Sequence, residues 1–248
     1  MAISQDDGTP VRISVCIAAY NEEPIIAATV AEAVEVLQQI PGRHEILVVN
    51  DGSTDRTGAI LAELAEREPM LRPLTHEHNR GNPAGQRTLV GAARGQYIFH
   101  IGADRQWRMS EMHQMLATIE RGYDIVIGVR RDKQYSLSRK FVSTSYNLLV
   151  ALLWGKHFGD LGSLKFVRAS LWRRVPFLSD SAFVHAQRVI IAHRNGARLA
   201  TVPVDHMPRT SGKSSFANPK QVIKATVELL RFRLSADSRY DIGPWRET

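Results

Sequence analysis

The residues best suited to chemistry in this 248-residue chain sit in three short polar clusters, each following an apolar run. Asn50-Asp51-Gly52-Ser53-Thr54-Asp55 follows Glu45 to Val49, and Ala19-Tyr20-Asn21-Glu22 closes the run that begins at Arg12. Gly102-Ala103-Asp104-Arg105-Gln106 follows Gln96 to Ile101. A carboxylate such as Asp51 accepts hydrogen bonds from a base or a ribose. Asp104 and Gln106 are hard oxygen donors two residues apart, suited to Mg²⁺ or Mn²⁺ bridging phosphates. A cation held there stabilises negative charge on a departing phosphate. A plainer reading stays open beside this one. Gly52 permits a tight turn, Ser53 or Thr54 caps the next helix, and Asp104 turns the chain after a strand.

The elements that must position these clusters alternate. Arg12–Ala18, Glu45–Val49, Leu71–His76, Gln96–Ile101 and Asp124–Val129 read as strands. Between them, helical patterns run from the turn at Tyr20–Pro24 to Gln39, then over Thr54–Arg67, Pro83–Arg94 and Ser110–Arg121. Such alternation predicts an α/β fold with a mostly parallel central sheet and helices on both faces. Ligands of such sheets gather beyond the carboxyl ends of the strands, where all three clusters lie. The second half predicts helices over Leu137–Trp154, Ser181–Asn195 (stopped by Gly196) and Pro219–Leu234. Strands are expected at Leu164–Val167 and Leu199–Val204, with a basic loop over His206–Ser215. No repeat or linker interrupts the chain. The expected organisation is a flexible terminus over 1–10, one domain over 11–234 and a tail over 235–248.

Composition narrows the function classes. At 44% hydrophobic the chain can bury a sizeable core, and its formal charge of +7 suits acidic partners such as nucleotide phosphates or anionic lipid heads. Aromatic residues are only 7% and the basic residues have no stacking interleaves, which argues against a nucleic-acid binder. Cys16 is the only cysteine, so neither an intrachain disulfide nor a cysteine zinc cluster can form. The first ten residues lack the layout of a signal peptide, and the apolar window Tyr146–Trp154 falls short of a membrane span. A cytoplasmic setting is expected. His44, His76, His78 and His100 read as surface or core side chains, and Trp107 as packing or as a sugar-stacking ring.

The clusters, in order, resemble glycosyltransferase family 2: Ile17-Ala18-Ala19-Tyr20-Asn21-Glu22-Glu23, Asn50 to Asp55, Asn79-Arg80-Gly81 and Ala103-Asp104-Arg105-Gln106. Asp160-Leu161-Gly162-Ser163-Leu164-Lys165, Val202-Pro203-Val204, Arg209 and Gly212-Lys213-Ser214 are similar to the dolichyl- or polyprenyl-phosphate sugar synthase branch. The resemblance implies a GT-A (Rossmann-like) fold and inverting transfer of a hexose from a GDP- or UDP-sugar to a polyprenyl phosphate. It implies that Ala18, Tyr20, Glu22 and Ala103 line the nucleoside pocket and that Asp51 reads the base or ribose. Asp104 and Gln106 would hold Mg²⁺ or Mn²⁺ against the diphosphate. Arg209 and Lys213 would reach phosphate, Arg130 or Arg131 the acceptor phosphate, and Asp160 would be the acceptor-side carboxylate. The last helix would pack on the core or rest on anionic lipid, which would place the protein at the inner face of the membrane.

Four positions depart from the family pattern. Gly102 replaces the first acid of Asp-X-Asp, Asn50 a frequent Asp, Asn82 a basic residue, and Gln187 a Glu. The acidic-to-neutral changes predict either weaker metal binding or charge neutralisation relocated to Arg105, Arg108 or Lys213. Two alternatives follow: transfer to a saccharide or small-molecule hydroxyl, with Asp160 as base, or nucleotide-sugar binding without catalysis. A dinucleotide dehydrogenase is disfavoured because no Gly-X-Gly-X-X-Gly follows the first strand.

Overall fold

The computed structural model describes residues 9–131, 137–207, 219–243 and 245. Seven strands form one sheet in the order β3-β2-β1-β4-β6-β5-β7. They are β1 (Val11–Ala19), β2 (Arg43–Asp51), β3 (Leu71–His76), β4 (Tyr97–Gly102), β5 (Ile125–Arg130), β6 (Lys165–Arg168) and β7 (Leu199–Val204). All neighbours are parallel except β6, which runs antiparallel to both β4 and β5. Strands buried on both faces must be apolar almost continuously. That is what Ile46 to Val49 and Ile125 to Ile127 supply, each of them fully buried.

The helices are α1 (Ile26–Gln38), α2 (Thr57–Ala65), α3 (Asn82–Ala92), α4 (Glu111–Ile119), α5 (Leu137–Trp154), α6 (Ala169–Arg174), α7 (Val184–Arg194) and α8 (Pro219–Leu234). A hydrophobic core lies on each face of the sheet. Residues of α1, α2 and α4 pack with Ile13, Val15, Ile17, Phe99 and Phe166 on one side. Residues of α3, α6, α7 and α8 pack with Cys16, Leu47, Ile98 and Val167 on the other. Cys16 is therefore a core side chain, and burial pushes its thiol pKa up. Gly196 ends α7 at φ +90°, with Ala197 donating to the Ala192 carbonyl at 3.0 Å. No described helix is long and apolar enough to cross a membrane.

The chain winds outward from β1 through β2 to β3, then returns to place β4 on the other side of β1. That reversal opens a crevice at the carboxyl ends of β1 and β4, where Ala18 pairs with Gly102. Because β6 is antiparallel, its first residue, Lys165, lies opposite His100 near the same end of the sheet. The strand expected at Leu164–Val167 is β6, but its antiparallel direction and the short α6 had no distinct sequence signal.

Candidate functional site

A crevice of about 720 Å³ lies at this edge. Ala18, Tyr20, Glu22, Asp51, Ala103, Asp104, Gln106, Arg130 and Asp160 all line it, so the fold gathers these nine positions. Arg209 and Lys213 lie outside the described residues. Met207, the last described residue before them, donates its N–H to the Gln106 carbonyl at 2.8 Å.

Asp51 closes β2 and is buried. Its Oδ1 accepts from His76 Nδ1 at 2.6 Å and from the Arg80 N–H at 3.0 Å, and its Oδ2 accepts the Gly81 N–H at 2.8 Å. The side chain thus clasps the Asn79–Gly81 loop to the sheet edge. An ionised carboxylate has about four acceptor sites, so one remains for a ligand. His76 was the missed partner; its position as the last residue of β3, in register with Asp51, was the available signal. Gly52 has φ +68°, and a Cβ there would come within 2.3 Å of the His78 backbone carbon, so the turn needs glycine.

Ser53 and Thr54 do not cap α2. Ser53 Oγ accepts the Asn21 N–H at 3.0 Å, and Asn21 Oδ1 accepts the Thr54 N–H at 2.8 Å. Asp55 takes the capping contact instead, accepting the Thr57 N–H at 2.9 Å. The loops after β1 and β2 are thereby laced together, and Asn21 is held at φ +55°. Asparagine tolerates that left-handed conformation better than most residues.

Asp104 is half-buried after β4, its Oδ1 accepting the Gln106 N–H at 3.3 Å. Arg105 between them has φ +51° and pairs with Glu32 at 3.7 Å. The described residues contain no group of three or more His, Cys, Asp or Glu side chains able to hold a metal. One carboxylate and one amide fit a cation that arrives on a diphosphate, since Mg²⁺ needs only one or two protein carboxylates beside phosphate oxygens.

On the other wall, Arg130 Nη1 donates to Asp160 Oδ2 at 2.9 Å, and its guanidinium lies 4.8 Å from the centre of the Trp107 ring. Trp107 also meets His206 edge-on at 5.0 Å, so its ring is a buried packing element that fixes Arg130. Lys165 Nζ donates to the Leu161 and Ser163 carbonyls at 2.7 and 3.2 Å. Burial pulls its ammonium pKa down to about 8, against the stabilising charge of Asp160. His100, Lys165, Trp172 and Arg188 line this wall too, and only Lys165 had stood in a sequence motif.

Two of the four departures lie elsewhere. Gln187 is fully buried under the loop before α7, donating to the Pro176 carbonyl and accepting the Leu178 N–H, both at 3.0 Å. Asn50 Oδ1 accepts the Ser53 N–H at 3.1 Å and shapes the turn. Neither side chain lines the crevice, so the expected shift of metal-site charge through them is corrected: Gly102 alone alters the acid count beside Asp104. Asn82 does line it, bonded to His185 Nε2 at 3.1 Å.

Comparison with known proteins fits this architecture. The chain is 29% identical over 216 residues to the undecaprenyl-phosphate 4-deoxy-4-formamido-L-arabinose transferase of Edwardsiella ictaluri, covering 85% of this chain and 64% of that protein. The Salmonella choleraesuis enzyme of the same name is 28% identical over the same coverage. The chain therefore spans somewhat under two thirds of the length of these relatives. Among solved structures, mannosyl-3-phosphoglycerate synthase from Rubrobacter xylanophilus superposes with a TM-score of 0.74 at 17% identity, covering 96% of this chain and 77% of that one. Glucosyl-3-phosphoglycerate synthase from Mycobacterium tuberculosis, solved with Mn²⁺, UDP and phosphoglyceric acid, gives 0.70 at 19% identity, covering 90% and 78%. The fold is GT-A. The family model for glycosyl transferase family 2 matches residues 14–176, which include all three strand-end clusters, and the chain belongs to that family.

Proposed function

We propose that this protein is an inverting glycosyltransferase that moves a hexose from a GDP- or UDP-sugar to a polyprenyl phosphate. The observation that carries the reading is one crevice with two unlike walls. Strand-end carboxylates and loop backbone stand on one wall, and the Arg130–Asp160–Lys165 group on the other. In this reading Tyr20, Glu22 and the remaining acceptor site of Asp51 hold the nucleoside, with Ala18 and Ala103 as its walls. Asp104 and Gln106 would hold Mg²⁺ or Mn²⁺, which supplies charge neutralisation at the diphosphate. Arg209 and Lys213 add cationic donors to the same diphosphate. Arg130, fixed between Asp160 and Trp107, orients the acceptor. The acceptor oxygen then forms a bond to the anomeric carbon as the bond to the nucleoside diphosphate breaks on the opposite face.

A phosphate acceptor is favoured over a hydroxyl because Asp160 Oδ2 is already engaged by Arg130. A phosphate monoester is ionised near neutral pH and needs no base to deprotonate it. The outer faces of α5 and α8 fit a lipid partner. Leu148 and Leu152 are exposed on α5, and Ile223, Val227, Leu230 and Leu234 recur at helical spacing on α8. Lys220, Lys224 and Arg231 share α8, which suits an anionic membrane surface. Catalytic loss is not favoured, since Asn50 and Gln187 perform structural tasks outside the crevice.

The test is transfer of labelled sugar from a panel of nucleotide sugars to undecaprenyl phosphate in vesicles. Asp104→Asn should lower turnover at least about 100-fold with the fold intact. Transfer to a free saccharide but never to lipid phosphate would replace this reading with the hydroxyl-acceptor one.

A further inference from the structure

The wall between β4 and α7 carries two buried cations with no ion-paired carboxylate among the described residues. Lys165 is 4% exposed and Arg188 2% exposed. Lys165 uses two of its three donors on backbone carbonyls. Arg188 lies between Trp172, at 4.0 Å from its guanidinium carbon, and Phe177, at 3.8 Å. Its Nε donates to the Val175 carbonyl, and its Nη2 to the Trp172 and Val175 carbonyls. Nη1 has no acceptor among the described residues. Burial disfavours the charge of Arg188, yet a guanidinium stays protonated in proteins.

His100 adds a third donor. Trp172 Nε1 donates to His100 Nε2 at 3.0 Å, so the neutral ring carries its proton on Nδ1. That Nδ1 is buried without a hydrogen-bond partner. His100 stands directly across from Lys165 in the β4–β6 ladder, on the same face of the sheet. All three residues line the crevice. With Arg130 and Asp160 beside them, these side chains set three cations against one carboxylate, an excess of two positive charges; Asp180, which also lines the crevice, is paired with Arg87 at 3.2 Å. A phosphate monoester carries about −1.5 to −2 near neutral pH.

We propose that Lys165, Arg188 and His100 Nδ1 form a phosphoryl-binding subsite, separate from the Asp104 turn, that holds the phosphate of the acceptor. The buried, unpartnered His100 Nδ1 is costly, and a phosphate bound there would meet it and take up the remaining donors of Lys165 and Arg188. The assignment to the acceptor rests on the function proposed above; the existence of the subsite does not.

The experiment is calorimetric titration of inorganic phosphate, a water-soluble ten-carbon prenyl phosphate, and UDP or GDP into wild type, Lys165→Met, Arg188→Met and Asp104→Asn. Lys165→Met and Arg188→Met should each weaken both phosphates at least about tenfold, as loss of a charge-assisted hydrogen bond implies. They should leave the nucleotide within about twofold, and Asp104→Asn should leave both phosphates unchanged. If a variant fails to fold, competition on the wild-type chain decides: prenyl phosphate should displace inorganic phosphate, and the nucleotide should not. Equal phosphate affinity in folded Lys165→Met, or displacement by nucleotide, overturns the subsite. Inorganic phosphate that depends on Lys165 while prenyl phosphate does not bind keeps the subsite and removes the lipid acceptor. Absence of nucleotide binding in wild type defeats the transferase reading alone.

Discussion

Replacing Asp51 with Asn tests the clasp that holds the crevice edge. The carboxylate serves three N–H donors with two oxygens: His76 and Arg80 on Oδ1, Gly81 on Oδ2. An amide keeps one oxygen. Its least damaging orientation points the NH₂ at Gly81, leaving two donors facing each other where one bond stood. A hydrogen bond to a charged group contributes roughly 1.5–3 kcal/mol, and an unmet buried donor costs about 1–3 kcal/mol. The two surviving bonds also lose their charge assistance. Together these imply a loss of about 2–4 kcal/mol, or a Tm lower by about 4–16 °C for a chain of this size. Urea denaturation followed by circular dichroism gives the free energy, and a nucleoside diphosphate shift assay reads the loop. An Asn variant within about 0.5 kcal/mol of wild type, with nucleotide binding intact, refutes the clasp.

Other outcomes follow from neighbouring features. Gly102→Asp places a Cβ 3.1 Å from Asp104 Oδ1 and a second carboxylate at the turn; Mn²⁺ affinity in the presence of nucleotide should rise about tenfold by metal titration, one carboxylate ligand's worth. Burial lowers the Lys165 pKa from 10.5 to about 8, so between these values the unfolded chain binds more protons and stability rises with pH. Wild type should therefore gain about 1–2 kcal/mol over Lys165→Met between pH 8 and 9.5 in paired urea melts, a difference that cancels Cys16 and the tyrosines. Burial also lowers His100, so stability should fall as pH drops below about 6.5, and His100→Gln should flatten that slope. Leu230→Glu with Leu234→Glu should weaken binding to anionic vesicles at least about tenfold, given roughly 1.5–3 kcal/mol per buried leucine; unchanged vesicle binding in a sedimentation assay removes the α8 contact.

The three strand-end clusters were legible because a polar turn directly after a buried β-branched run marks where the chain leaves the sheet. Leu71–His76, Leu137–Trp154, Leu199–Val204 and Pro219–Leu234 match their expected bounds, since strong apolar patterning marks them. The antiparallel insertion of β6 left no trace, because a four-residue strand buried on both faces reads alike in either direction. His76, His100 and Arg188 escaped for a related reason. Their meaning lies in partners far along the chain, Asp51, Trp172 and Phe177 among them, and a lone histidine or arginine in an apolar stretch carries no pointer to its neighbour. Gln187 and Asn50 show the converse: family positions drew attention to residues whose tasks are local.

The direction of β6 also sets an order of assembly. β1 to β4 are joined by parallel crossovers and complete four adjacent strands by residue 102. His100, however, waits for Lys165 across 65 residues of chain, and β5 reaches the sheet only through that same strand. Closing that loop, or the 84 residues that separate Cys16 from its β4 partner His100, is slow relative to the β1–β2 pairing, in which Cys16 and Leu47 are 31 residues apart. In pulsed hydrogen exchange, amides of β1 and β2 should gain protection before those of β5 to β7. Both walls of the crevice, which meet at β4, would therefore form after the β1–β2 pair that carries Asp51.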